Sequence, residues 1–147
     1  MGDVKVLLTN SHSANTGDAA IITAMADHLR RISPRIKITA HCSNPGTSLR
    51  LVRRGDITFH GYAAPFYEGA RGVPSFNAFL SSGLVFFSNL LTAALFRLSG
   101  MRLYLFNQGY RQSVEDFISA DVVISVGGGF ISSEYGFVRP YSDIAMA

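Results

Sequence analysis

Ala120-Asp121-Val122-Val123-Ile124-Ser125-Val126-Gly127-Gly128-Gly129 is the stretch that decides the fold. Four of the five residues from Val122 to Val126 are β-branched aliphatics. So short and continuous an apolar run predicts a strand buried on both faces, the pattern of a parallel sheet. Three glycines follow directly. They permit positive φ and leave no side chain between the backbone and an approaching ligand. α/β proteins commonly hold ligands at such an exit, on the carboxyl end of the sheet, although a plain tight turn reads the same way.

Upstream, the same architecture repeats. Lys5 to Thr9 is a short apolar strand, and Asn10 to Gly17 is a polar loop. Asp18 is a favoured N-cap for a helix over 19–32. In that helix Ile21, Ile22, Met25, Leu29 and Ile32 recur at helical spacing and are expected to face the sheet. Pro34 stops it, and Ile36 to His41 alternates as a second strand. Ser48 to Arg54 predicts a short helix capped by Thr47, and Ile57 to His60 a third strand. Leu103 to Asn107 is a further strand candidate, and Val114 to Ser119 a short helix. Glu115 and Asp116 would sit near the start of that helix, where they suit its dipole. The predicted class is α/β: a Rossmann-like parallel sheet flanked by helices.

Val73 to Phe96 contains no charged residue. Its polar residues, from Asn77 to Thr92, fall within a single arc of roughly 140° on a helical wheel. Phe79, Leu80, Phe86, Phe87, Leu90 and Leu91 occupy the rest. Such one-sidedness fits a helix packed on a sheet, or lying on a membrane, better than one that spans it. Gly100 is expected to end the helix.

Composition narrows the function classes. Hydrophobic residues make up 48% and charged residues 16%, which excludes a disordered chain. The single cysteine, Cys42, rules out an internal disulfide and fits a reducing, cytoplasmic compartment. Net charge is +3, and seven of the thirteen basic residues lie between Arg30 and Arg54. That basic segment suits an anionic substrate or membrane surface, or is a solvated face. Nucleic acid is not an expected partner, because no basic helix with interleaved aromatics and no zinc spacing is present.

Chemistry is expected where loops leave the carboxyl ends of strands. If the first strand neighbours the strand ending at Val126, loops 10–18 and 127–134 line one crevice. The candidate binding residues are His12, Asn15, Gly17 and Asp18 from the first loop, and Gly127, Gly128 and Gly129 from the second. Neither loop has the spacing of a P-loop or a dinucleotide fingerprint. A carboxylate at the helix start repels a phosphate seated there, so Asp18 either caps the helix or meets a neutral, hydroxyl-rich ligand. His12 would accept a proton or bond a sugar hydroxyl, or it is ordinary surface. Asp121, at the opposite end of its strand, reads as structural. His28, His41, His60 and Cys42 lack metal-ligand spacing, and no metal or cofactor is expected. No catalytic residue is assigned.

Two segments together resemble the polysaccharide pyruvyl transferase family. Asn15-Thr16-Gly17-Asp18-Ala19-Ala20-Ile21 is similar to its Asn-x-Gly-Asp-x-Ala-Ile after the first strand. Ala120 to Phe130 is similar to its Ala-Asp-(aliphatic)-Ser-x-Gly-Gly-Gly segment. The resemblance implies the N-terminal half of a two-domain GT-B-like fold. It implies transfer of pyruvate from phosphoenolpyruvate to a sugar of a cell-surface polysaccharide, exopolysaccharide or lipid-linked precursor. Residues 1–147 then form one Rossmann-like domain, expected to be inactive alone. The family's second domain, expected to supply basic groups for the anionic donor, would lie in a continuing chain or a separate subunit. Two alternatives stay open: half of a GT-B transferase for nucleotide sugars, and a non-catalytic module at the inner face of the membrane.

Overall fold

The computed structural model describes residues 2–9, 16–42, 44–62, 76–105 and 110–126. Among them, strands β1 (Val4–Thr9), β2 (Ile36–His41), β3 (Ile57–His60) and β4 (Val122–Ser125) form one sheet. Its order is β3-β2-β1-β4, and every neighbouring pair is parallel. Helices α1 (Thr16–Ile32), α2 (Pro45–Val52), α3 (Phe76–Ser99) and α4 (Arg111–Ser119) flank it. The α/β, Rossmann-like arrangement is the one the sequence predicts.

Side-chain alternation along the strands builds two cores. Val6 and Leu8 of β1, Ile36, Ile38 and Ala40 of β2, and Ile57 of β3 meet Ala19, Ile22, Ala26 and Leu29 of α1 and Val52 of α2. The intervening residues face the other way. There Leu7 meets Val114 and Phe117 of α4, with Leu90 of α3 and Val123 of β4 packed alongside.

Several elements depart from their predicted form. β4 is parallel but not buried on both faces, since Val122 and Ser125 are exposed. Among the described residues it is an outer strand, so β1 covers only one of its sides. α1 starts at Thr16, which places Asp18 inside the first turn and not at the cap. Its negative charge there suits the helix dipole. Ile21 and Ile32 of α1 are exposed, and Ala19 and Ala26 take the sheet-facing positions. α2 starts earlier than predicted and is capped by Asn44, whose side chain accepts from the Thr47 N–H at 3.0 Å, with Pro45 in the first turn. Leu103 to Leu105 form no strand. α4 starts at Arg111, so Glu115 and Asp116 lie in mid-helix, not in the first turn.

The deepest departure is α3. It buries Ser88, Asn89 and Thr92, together with Val85 and Ala93, and turns Leu80, Leu84, Phe87, Leu91 and Leu98 outward. The Thr92 hydroxyl lies within donating reach of the Ser88 carbonyl, at 2.8 Å, and of the Leu103 carbonyl. Gly100 ends the helix as expected, at φ +71° with its N–H on the Phe96 carbonyl. No helix among the described residues is long and apolar enough to cross a membrane.

The amino end of the sheet is pinned by polar groups. The Lys5 N–H donates to the Asp121 carboxylate at 2.8 Å, and the Asp121 N–H donates to the Lys5 carbonyl at 2.9 Å. This is the structural role expected of Asp121. In the basic segment, Arg30 and Arg54 converge on Asp56, Arg54 also pairs with Asp27, and Lys37 pairs with Asp3. Three of its cations are therefore committed to ion pairs within the fold.

Candidate functional site

β1 lies beside β4, the condition on which the crevice depends. Thr9 and Ser125 are register partners, and the Val126 N–H donates to the Thr9 carbonyl at 2.9 Å. The pair is also the topological switch point: helices α1 and α2 follow β1 and β2 on one face, and α3 and α4 precede β4 on the other. The stems of both motif-bearing loops thus leave the sheet side by side. α1 departs from this same edge, so the amino end of its dipole faces it. Gly17 is exposed and Asp18 half-buried in that turn. His12, Asn15, Gly127, Gly128 and Gly129 lie outside the described residues.

Every strand ends on a polar residue: Thr9, His41, His60 and Ser125. His41 and His60 are register partners, as are Thr9 and Ser125, and the Leu8–Ala40 pair brings Thr9 level with His41. Alternation places all four on the α4 face, since each follows an inward residue that belongs to the opposite core or its margin. The result is a polar rung across the carboxyl edge, spanning three strand spacings or roughly 14 Å. Thr9 is buried, and its hydroxyl has no hydrogen-bond partner among the described residues.

α4 closes over the histidine end of the rung. One Asp116 oxygen, Oδ2, lies 2.9 Å from His41 Nε2 and 2.6 Å from His60 Nδ1. Gln112 donates to Oδ1 at 3.3 Å, and the Ser113 hydroxyl donates to the Gly61 carbonyl at 2.7 Å. His41 also packs edge-on against Phe117, with ring centroids 5.2 Å apart. Exposure is graded: the side chains of His41, Asp116 and His60 are 1%, 10% and 27% exposed. Burial opposes ionisation of Asp116, but the hydrogen bonds from His41 and His60 outweigh it and hold the carboxyl below the usual range. Cys42 follows His41 as a buried thiol in no disulfide, with the Ser48 hydroxyl 3.0 Å from its sulfur.

This cluster escaped the sequence. In sequence His41, His60 and Cys42 lack metal-ligand spacing, and Asp116 reads locally as a dipole partner. Among the described residues, no group of three or more His, Cys, Asp or Glu could hold a metal ion. Both rings point at one carboxylate oxygen and have no common empty centre. The signal that was present is positional. Ile36-x-Ile38-x-Ala40 and Ile57-x-Phe59 each end in a histidine on the off-core beat. A cavity of about 310 Å³ lies on the same face nearer the amino ends, lined by Leu7, Thr39, Thr58, Asp116 and Ser119 among others. It shares Asp116 with the histidine cluster, and neither Thr9 nor Val126 lines it.

Compared with protein-family models, curated proteins and solved structures, the chain matches none.

Proposed function

We propose that this chain is the acceptor-binding half of a pyruvyl transferase-like enzyme, which moves pyruvate from phosphoenolpyruvate to a sugar of a cell-surface polysaccharide or exopolysaccharide. One observation carries the reading: β1 and β4 are adjacent at the switch point, so both resemblance-bearing loops spring from neighbouring stems. The polar rung supports it. A row of hydroxyl and imidazole groups suits a neutral, hydroxyl-rich ligand, and Asp18 in the first turn of α1 disfavours a phosphate there. The basic groups that would hold the anionic donor belong to a second, GT-B-like domain, in a continuing chain or a separate subunit. Without it the chain binds acceptor but does not turn over. Buried and in no disulfide, Cys42 fits a cytoplasmic site of action.

Binding is therefore the measurement. The chain is titrated with hexose and N-acetylhexosamine disaccharides while its amide NMR signals are followed. Shifts concentrated at Thr9, Gly17, Asp18 and Val126 are expected. Shifts there with a nucleotide sugar and not with the disaccharides would favour the nucleotide-sugar transferase instead. No response to any saccharide at millimolar concentration rejects the acceptor role.

The outward stripe of α3 supports a second, compatible feature, a peripheral membrane contact. Flotation with anionic liposomes tests it, and a chain that stays in the dense fraction rejects it.

A further inference from the structure

We propose that His60 is the proton acceptor of the carboxyl edge, positioned by Asp116, and that it serves a ligand hydroxyl lying along the polar rung. The inference rests on the acceptor reading for the identity of that ligand, but the poise of His60 stands on its own geometry. An ionised carboxylate only accepts hydrogen bonds, so each ring nitrogen that faces Asp116 carries a proton. The hydrogen-bond network therefore assigns Nε2–H to His41 and Nδ1–H to His60. His60 keeps Nε2 as its lone-pair nitrogen, and among the described residues that nitrogen has no partner. Free histidine favours the opposite tautomer, so Asp116 is what turns the basic nitrogen outward. This is the division of labour in any carboxylate–imidazole pair: the carboxylate fixes tautomer and orientation, and the outer nitrogen takes the proton.

The two histidines are not equivalent in this arrangement. His41 is 1% exposed and packed against Phe117, so it braces the carboxylate from inside. His60 is 27% exposed and ends β3, so it meets solvent at the edge that carries Thr9 and the stem of the β4 exit. The brace holds Asp116 from two directions, while Gln112 takes its second oxygen and Ser113 ties α4 to Gly61. A base held this way needs little reorganisation when a hydroxyl arrives. In pyruvyl transfer, a sugar hydroxyl oxygen bonds to C2 of phosphoenolpyruvate and gives its proton to His60 Nε2. A second hydroxyl oxygen then bonds to the same carbon as phosphate leaves. Of the two hydroxyl protons, one ends on C3, which becomes a methyl, and one on phosphate.

The test has two arms. In the first, the chain is treated with diethyl pyrocarbonate, which acylates an unprotonated imidazole nitrogen, and peptide mass spectrometry follows each histidine. Exposed His28 is the internal standard. His60 is expected to react at Nε2 and buried His41 to stay unmodified. Asp116→Asn is expected to slow His60 by about tenfold relative to His28, because the ordinary tautomer returns. Nitrogen-15 NMR of the unmodified wild type reads the same tautomer without any variant. Protonated Nε2 in the wild type, or an Asp116→Asn chain that folds and reacts unchanged, overturns the proposal.

The second arm adds the disaccharides to the wild type and to His60→Gln. A shift of the His60 Nε2 resonance, with saccharide affinity lowered in His60→Gln, supports the ligand role. Shifts at Thr9 and Val126 with Nε2 unmoved overturn that role and leave the acceptor reading standing. If no saccharide shifts any signal, the acceptor reading and the ligand role both fall, and the first arm alone decides whether His60 is a poised base.

Discussion

α1 and α3 lie on opposite faces of one sheet and bury opposite kinds of surface. α1 buries Ala19, Ile22, Ala26 and Leu29 against a continuous apolar face. α3 buries Ser88, Asn89 and Thr92 and leaves Phe87 69% and Leu98 86% exposed. The two faces of the sheet differ as well. One presents Val6, Leu8, Ile36, Ile38, Ala40 and Ile57. On the other, Leu7 packs against Val114 and Phe117 of α4, and α3 reaches that cluster through Leu90. The inward face of α3 instead carries the Thr92 hydroxyl, within reach of the Ser88 and Leu103 carbonyls. The lesson is that one-sidedness in a helix states that it has two faces, but not which of them turns inward.

The sharpest way to break the comparison is to remove matched side chains from the two helices. Ile22→Ala leaves a cavity in the main core and is expected to cost about 3 kcal/mol. Urea unfolding reads it, and a loss below about 1 kcal/mol would mean that α1 packs loosely. Next in size is Thr92→Val. It keeps the shape but strips the buried hydroxyl from the Ser88 and Leu103 carbonyls, for an expected loss of about 1 to 2 kcal/mol. A neutral or stabilising result would show that the inward face of α3 is not held by polar bonds.

The ion network that ties α1 to the β3 entry comes third. Hydrogen bonding from Arg54 lowers the Asp56 carboxyl from 3.8 to about 2, although burial opposes the shift. A depressed carboxylate stabilises the fold above its unfolded pKa, and the contribution disappears as pH falls through the folded value. The wild type should therefore lose this component between about pH 4 and pH 2, and Asp56→Asn should lack it. The side chain is 34% exposed, so the effect after solvent screening is about 1 kcal/mol. Acid titration of the folded fraction in the two proteins measures it. Smallest of all, Phe87→Ala on the outer face of α3 should change stability by less than about 0.5 kcal/mol. A large loss would mean that this face packs against something in solution.

How far the sequence could be read depended on the range of the interactions. The strands at 36–41 and 57–60 were read within their true bounds, because alternation is a local property of adjacent residues. The helix stop at Gly100 was legible for the same reason, since one glycine at positive φ terminates the turn that precedes it. Asp18 was misplaced by one turn because a cap and a first-turn acid look alike in sequence. Leu103 to Leu105 looked like a strand but found no sheet to join. Of the candidate site, the loop stems at Thr9 and Val126 were anticipated, and the histidine cluster was not.

By itself the sequence determined the class of fold and, to within one residue, the carboxyl ends of the four strands that form the sheet. Periodicity, capping and glycine freedom act over a few residues and are written in order along the chain. Only the tertiary structure decided that β1 stands beside β4, that α3 turns its polar face inward, and that Asp116 meets His41 and His60. Those groups are 75 and 56 residues apart in sequence. Their meeting depends on sheet order and on the seat of α4 against Leu7. No local pattern carries that information.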